Sequence, residues 1–330
     1  MIISLLIAAY NVEKHIKKCL LSCVLQDLPS EKFEIICVND GSTDQTATII
    51  KEIQLSYRNI ILIEQANSGL GSARNKALHH ASGSFVWFID GDDFIEPMVL
   101  SKIIFSLKNL NLDILMLNYK IVDEQGTVIN NNANNPDVTE VISGSEFYKN
   151  NYSKSYTWSF VFERILFYKN RIFFKERINM QDSEILPKLM FHSKRISFLN
   201  VRCYNYVQHP NSFTNSKNGK NRYIYFASII KVKKSLQHFL DNDVGNDEQI
   251  RVGLKKKIES LHDVIFNHLV YFRYEKTWAI KIIDLLQKNR LYPLQVDCKG
   301  KMKLIKWGLN HYPLTVLGLI DFIRNFKNKF

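Results

Sequence analysis

Residues 87–94 read Trp-Phe-Ile-Asp-Gly-Asp-Asp-Phe, an apolar run ending in three carboxylates, Asp90, Asp92 and Asp93, set around Gly91. Like charges this close repel and resist desolvation, so the cluster calls for a positive partner. Hard oxygen ligands at a strand end suit Mg2+ or Mn2+, ions that take one or two protein carboxylates together with phosphate oxygens and water. Gly91 lets the turn approach such a ligand closely. The competing reading is one or two capping carboxylates on a solvated turn.

Three further polar clusters share this placement. AYN (9–11), NDGSTD (39–44) and EQANSG (64–69) each close a strand-like run. The runs, at 3–10, 33–40, 59–65, 84–90 and 113–119, are β-branched or aromatic and almost continuously apolar, as strands buried on both faces are. Helical patterns near 13–25, 44–55, 71–81 and 97–109 separate them. Ser42 and Asp44 suit caps of the second helix, and Pro97 suits the first turn of the fourth. This alternation predicts an α/β fold with a mostly parallel central sheet and right-handed crossovers. In such sheets ligands bind at the carboxyl ends of the strands. One polar cluster there is ordinary turn chemistry; four on one edge read as a site.

Regularity weakens further along. VDEQGTV (122–128) predicts a hairpin turn, NNNANNPD (130–137) a loop, 145–150 and 158–168 helices, and 195–207 one or two strands. From 216 the pattern is helical, interrupted at 241–247 and at Pro293. Apolar residues make up 46% of the 330-residue chain, enough for a packed core. Its five cysteines include no CxxC pair, which argues against a zinc or redox site and, with the odd count, for a reducing compartment. MIISLLIAA lacks a basic flank and reads as a first strand rather than a signal peptide. No run reaches eighteen consecutive apolar residues, so no spanning helix is expected.

The charge is uneven. Residues 216–330 hold 22 of the 44 Lys and Arg but 10 of the 32 Asp and Glu, so the whole net +12 resides there. Such asymmetry suggests an anionic partner, membrane lipid or nucleic acid. The last stretch, 299–330, mixes seven basic residues with Trp307, Leu314, Leu317, Ile320, Phe322 and Phe326. That pattern suits an interfacial helix on an anionic membrane surface as well as a helix packed on the domain. No groove-reading or RNP-type signature accompanies the charge, so no nucleic acid is expected.

AAYN, VNDGSTD, NSGLGSARN and WFIDGDDF, in this order and spacing, resemble glycosyltransferase family 2. The resemblance is strong over 1–100 and looser to about 215. It implies the GT-A fold, a nucleotide-binding α/β sandwich with a DXD motif, here followed by a mainly helical C-terminal region. The implied division is 1–215 for the catalytic domain, with 1–110 on the nucleotide-sugar side and 111–215 on the acceptor side, and 216–330 for the basic helical region.

The resemblance also implies roles. Ala8, Tyr10 and Asn11 would line the base pocket, Asp40 would accept from the uracil edge, and Ser42 would support it. Asn67, Gly69 and Arg74 would wrap the nucleotide and sugar. Asp90, with Gly91, would face the sugar side, and Asp92 would ligate Mn2+ or Mg2+, with Asp90, Asp93 and His209 as further candidates. Asp93 would assist through water or cap the next helix. In INMQDSEILPKL (178–189) the family's Glu-Asp pair becomes Gln181-Asp182, leaving Asp182 as general base and Glu184 as fallback. YNYVQHPNSFTNS (204–216) would return to the donor phosphates, and Trp158 and Arg164 would form the acceptor wall, the competing reading being a core ring for the Trp and a surface ion pair for the Arg. GLGSAR (69–74) is only a partial dinucleotide fingerprint, since it neither follows the first strand nor ends in Gly.

The expected reaction is inverting transfer from a nucleotide-sugar, a UDP-sugar, to a saccharide or lipid-linked saccharide acceptor in surface polysaccharide synthesis. The expected location is cytoplasmic, peripheral on the inner face of the cell membrane. The alternatives are a sugar-nucleotide-binding or nucleotidyltransferase-like protein without glycosyl transfer, and a nucleic-acid binder using the basic region.

Overall fold

The computed structural model describes residues 1–130, 140–209, 219–272 and 274–327, the stretch 321–327 as backbone. Most of the Asn-rich stretch, the end of the 204–216 segment and the side chains of Phe322 and Phe326 lie outside the described residues. The chain forms two compact units. One comprises Met1–Arg177, Gln181–His209 and Asn246–Gly253; the other comprises Ile178–Met180, Pro210–Gly245 and Leu254–Phe330. Residues 246–253, downstream of the expected boundary, therefore belong to the first unit, where Ser145 Oγ donates to Asp247 at 2.6 Å.

The first unit alternates as its pattern dictates: β1 (Ile3–Ala9), α1 (Ile16–Val24), β2 (Phe33–Asp40), α2 (Thr46–Gln54), β3 (Ile60–Gln65), α3 (Leu70–His80), β4 (Phe85–Asp90), β5 (Phe94–Ile95) and α4 (Leu100–Asn109). There follow β6 (Ile114–Val122), β7 (Val128–Asn130), α5 (Gly144–Asn151), β8 (Phe160–Glu163), α6 (Ile165–Lys169), α7 (Gln181–His192) and β9 (Ile196–Val207). Among the described residues the sheet has nine strands, in the order β3-β2-β1-β4-β8-β6-β9-β5 with β7 beside β6. β1 to β4 pair in parallel, so their carboxyl ends share one edge. The register sets Ala8 opposite Asp90, Ala9 opposite Asn39 and Asp40 opposite Gln65. That pairing assembles the motifs.

The helices bury the stripes their period predicts. On α1, Ile16, Cys19, Leu20 and Cys23 fall on one face and are buried. Two local expectations change. Residues 160–163 are a strand, not helix: Phe160, Val161 and Phe162 are buried and β8 runs antiparallel between β4 and β6. A short apolar run fits either element, and the two flanking strands decide it. Pro97 lies ahead of α4, which begins at Leu100. The hairpin turn stands, with Gly126 at φ 90° and Thr127 N–H donating to Asp123 Oδ1 at 2.7 Å.

The second unit is helical: α8 (Gly219–Asn242), the greater part of α9 (Glu248–Tyr271), α10 (Lys276–Lys288), α11 (Lys301–His311) and α12 (Pro313–Lys327). On α10 the buried Ala279, Ile282, Ile283 and Leu286 form one stripe. The expected interfacial helix is two helices, because Pro313 opens a new one. Trp307 and Leu314 are exposed while Leu317 is buried, so they do not make one continuous apolar face. Among the described residues no helix is long and apolar enough to cross a membrane.

Candidate functional site

The edge formed by β1 to β4 is cross-tied by its own turns. Asn11, at φ 51°, accepts from Thr43 N–H at 2.8 Å through Oδ1, and its own N–H donates to Ser42 Oγ at 3.0 Å. Ala8 is half-buried in β1 and the ring of Tyr10 stands exposed beyond it. Asp44 Oδ1 accepts from Thr46 N–H at 3.0 Å at the start of α2.

Asp40 looks inward. It is 3% exposed; Oδ1 accepts from Gln65 Nε2 at 2.7 Å and Ser68 N–H at 2.8 Å, and Oδ2 accepts from Gly69 N–H at 2.8 Å. Asn67 Nδ2 donates to the Asp40 carbonyl at 3.1 Å. The carboxylate therefore fastens the 65–69 turn to β2. Gly69 has φ 90°, a conformation that favours glycine, immediately before α3.

The β4 corner separates its carboxylates. Asp93 is 2% exposed, accepting from Tyr204 Oη at 2.7 Å and from Val207 N–H at 2.7 Å. It holds β9 against the corner and does not cap the next helix. Burial, then Asp92 and Asp90, raise its pKa far above the usual carboxylate range. Asp92 points outward, its side chain 43% exposed. The crowded corner still desolvates it and, with Asp90, pushes its pKa up to about 6. Gly91 lets the turn pass close to β1: a Cβ there would lie 3.0 Å from the Ala8 carbonyl oxygen, tighter than ordinary contact.

His209, after β9, faces Asp92: Nε2 lies 3.6 Å from Asp92 Oδ2, while Nδ1 is 3.2 Å from Glu124 Oε1. Its ring centroid is 4.4 Å from that of His15. Nε2 is buried without a hydrogen-bond partner among the described residues. An exposed carboxylate with a raised pKa beside an unused imidazole nitrogen is a donor set that fits a divalent cation. Among the described residues no group of three or more His, Cys, Asp or Glu side chains converges to hold a metal unaided. A cation here needs oxygens from its ligand, as Mg2+ sites commonly do.

Arg74 links this corner to Asp182. The arginine is 2% exposed on α3; Nη2 donates to Asp90 Oδ1 at 2.7 Å and Nη1 donates to Asp182 Oδ1. Burial opposes its charge, but Asp182 and Asp90 outweigh it and raise its pKa. Asp182 lies in the first turn of α7, also accepting from Thr157 Oγ1 at 3.1 Å and Thr157 N–H at 3.3 Å. Desolvation raises the Asp182 pKa, with Arg74 opposing and Asp90 adding to the rise. Glu184 is buried and ion-paired to Lys188 and, at 3.4 Å, to Lys175.

The sequence reading of the acceptor wall changes. Trp158 is 3% exposed, a core ring. Arg164 donates through Nε to the Gly83 carbonyl at 2.8 Å, at the amino end of β4 and therefore the opposite end from Asp90. Thr157 and Glu124 were given no role: each is a common residue type outside the matched motifs, brought in just before β8 and just after β6, while Tyr204 stands within β9, in the segment expected near the phosphates, but ties down Asp93 instead.

Residues 4–177 match the family described as Glycosyl transferase family 2. The chain is 29% identical over 221 residues to the uncharacterized glycosyltransferase EpsJ of Bacillus subtilis, covering 64% of this chain and 63% of that protein. It is 30% identical over 213 residues to the poly(ribitol-phosphate) beta-N-acetylglucosaminyltransferase TarS of Staphylococcus aureus, covering 62% of this chain and 35% of TarS. The match thus spans less than two thirds of either relative. The solved structure of S. aureus TarS 1–349 in complex with UDP-GlcNAc has the same fold, with a TM-score of 0.68 at 21% identity over 99% of this chain and 92% of that one.

Proposed function

This chain belongs to glycosyl transferase family 2, and from that premise we propose that it transfers a sugar, with inversion, from a UDP-sugar to a saccharide or lipid-linked saccharide acceptor of a surface polysaccharide. The observation that carries this reading is Arg74, buried between Asp90 at the donor corner and Asp182 on α7. It fixes a basic carboxylate at a set distance from the carboxylates that meet the donor. The TarS fold, solved with UDP-GlcNAc, supports UDP as the nucleotide.

In this reading Asp182 accepts the proton of the acceptor hydroxyl as that oxygen bonds to the anomeric carbon. The bond from that carbon to the diphosphate breaks, and the nucleoside diphosphate departs with the electron pair. One displacement at one centre inverts it. The raised pKa makes Asp182 a stronger base than a solvated aspartate, and Thr157 and Arg74 hold its carboxylate in orientation. Asp92 and His209 would hold Mg2+ or Mn2+, which when bound neutralises charge on the diphosphate.

The test is UDP release from a panel of UDP-sugars with saccharide acceptors, with and without Mn2+. Acceptor-dependent release, stimulated by Mn2+, is expected. UDP binding with no release from any donor favours the non-transferring reading.

The exposed Leu304 and Trp307 on α11, on the same helix as Lys301 and Lys303, support an anionic membrane surface as a partner, with the enzyme peripheral on its inner face. Sedimentation with anionic liposomes should weaken on removal of 299–330; equal sedimentation rejects the anchor.

A further inference from the structure

Trp158 lies in the middle of an aromatic stack. Its ring is parallel to Tyr204, with centroids 4.5 Å apart and planes at 11°, and to Tyr206, at 5.7 Å and 7°. Tyr119 meets it edge-on at 4.8 Å. Tyr156 stacks on it at 5.1 Å and 20°. The stack is tied down: Trp87 Nε1, from β4, donates to the Trp158 carbonyl at 2.7 Å, and Tyr204 Oη donates to Asp93.

The members differ in exposure. Trp158 and Tyr204 are buried, Tyr206 is half-buried, and Tyr156 is 48% exposed. Tyr156 therefore closes the solvent end of a rigid stack. Its position along the chain is equally telling, because the next residue, Thr157, holds the Asp182 carboxylate through both its N–H and its hydroxyl. Tyr204, in the same stack, donates through Oη to Asp93 at 2.7 Å, so the stack reaches the acidic corner. An exposed aromatic face, held rigidly between a candidate base and the donor corner, matches a pyranose ring. Sugars present a face of C–H bonds that packs on an aromatic ring, and their hydroxyls project at the rim.

We propose that Tyr156, with Tyr206 beside it, is the acceptor subsite, a platform on which the acceptor's pyranose ring stacks with one hydroxyl directed at Asp182. This rests on the glycosyl-transfer reading above, and it moves the sugar-binding role from the buried Trp158 to its exposed neighbour. Tyr156 contributes a ring face rather than a proton, so phenylalanine should replace it and alanine should not.

The test is saturation-transfer NMR on the full chain with UDP, using methyl glycosides of glucose, galactose, N-acetylglucosamine and rhamnose as probes. Retention of the UDP-induced thermal shift checks the fold of each variant. Wild type is expected to transfer saturation to the ring protons of at least one glycoside. Tyr156→Phe should preserve the effect, and Tyr156→Ala should weaken that glycoside's binding by about three- to tenfold. Equal signals in Tyr156→Ala, or no signal from any glycoside in a wild type that binds UDP, overturn the platform while leaving donor chemistry standing. Absence of UDP binding in wild type overturns both.

Discussion

The turns after β2 and β4 look alike in sequence, since each places Asp-Gly at the end of a buried parallel strand. They differ in what the carboxylates do. Asp40 accepts from three protein donors and is nearly inaccessible. At the β4 corner the work is divided: Asp93 is bonded inward to β9, Asp90 is paired with Arg74, and Asp92 faces outward. An acidic motif at a strand end thus contains framework and reactive members, and the supply of protein donors separates them. A carboxylate whose lone pairs are filled by its own chain positions a loop; the one left exposed, Asp92, is the one the proposed reading gives to a cation.

That contrast can be broken by mutation. Asp92→Asn should lower sugar transfer by roughly a hundredfold and remove stimulation by Mn2+, with the melting temperature nearly unchanged; steady-state rates with and without metal read this. Wild-type Mn2+ stimulation in that variant would erase the distinction between the two turns. Asp93→Ala should act on stability first. Leaving the Tyr204 O–H donor and the Val207 N–H without their acceptor costs about 1–3 kcal/mol, visible as a lower urea midpoint. Asp40→Ala should lose a similar amount or less and raise the donor KM by loosening residues 65–69, with a smaller change in kcat. If Asp40→Ala instead cuts kcat as deeply as Asp92→Asn, the inward reading of Asp40 fails.

The smallest effect is a pH displacement. Desolvation raises the Asp182 pKa, and the base works only when deprotonated. Activity should therefore fall on acidification at a higher pH than for an ordinary aspartate, whose reference is 3.8. Thr157→Val removes one hydrogen bond to the ionised carboxylate, so it should move the acid limb of the kcat profile further up. A limb unmoved by the substitution would take Thr157 out of the site.

Much of this arrangement was legible before any coordinates. Continuous apolar strands separated by helical periods determine a parallel sheet, and a parallel sheet brings AYN, NDGSTD, EQANSG and DGDD to one edge. The separation of Asp92 from Asp93 was not legible. Adjacent residues in a turn face different ways, and which one turns inward depends on Tyr204 and Val207, over a hundred residues away. The same holds for Arg74, whose partner Asp182 is 108 positions on. Trp158 takes the core alternative of its two readings, and Arg164 neither of its two, because residue type does not say how deeply a ring is buried or which end of a strand a side chain meets. Residues 160–163 became a strand because β4 and β6 flank them.

In the proposed mechanism Asp182 is the base, held beside the donor corner by Arg74. The direct measurement is sugar transfer by Asp182→Asn at saturating UDP-sugar, with UDP affinity determined on the same preparation. The amide is close in shape but cannot take the acceptor's proton. Transfer should fall by about 10²–10⁴-fold with UDP affinity kept within about threefold of wild type. Transfer at the wild-type rate, with UDP bound as tightly, would contradict it.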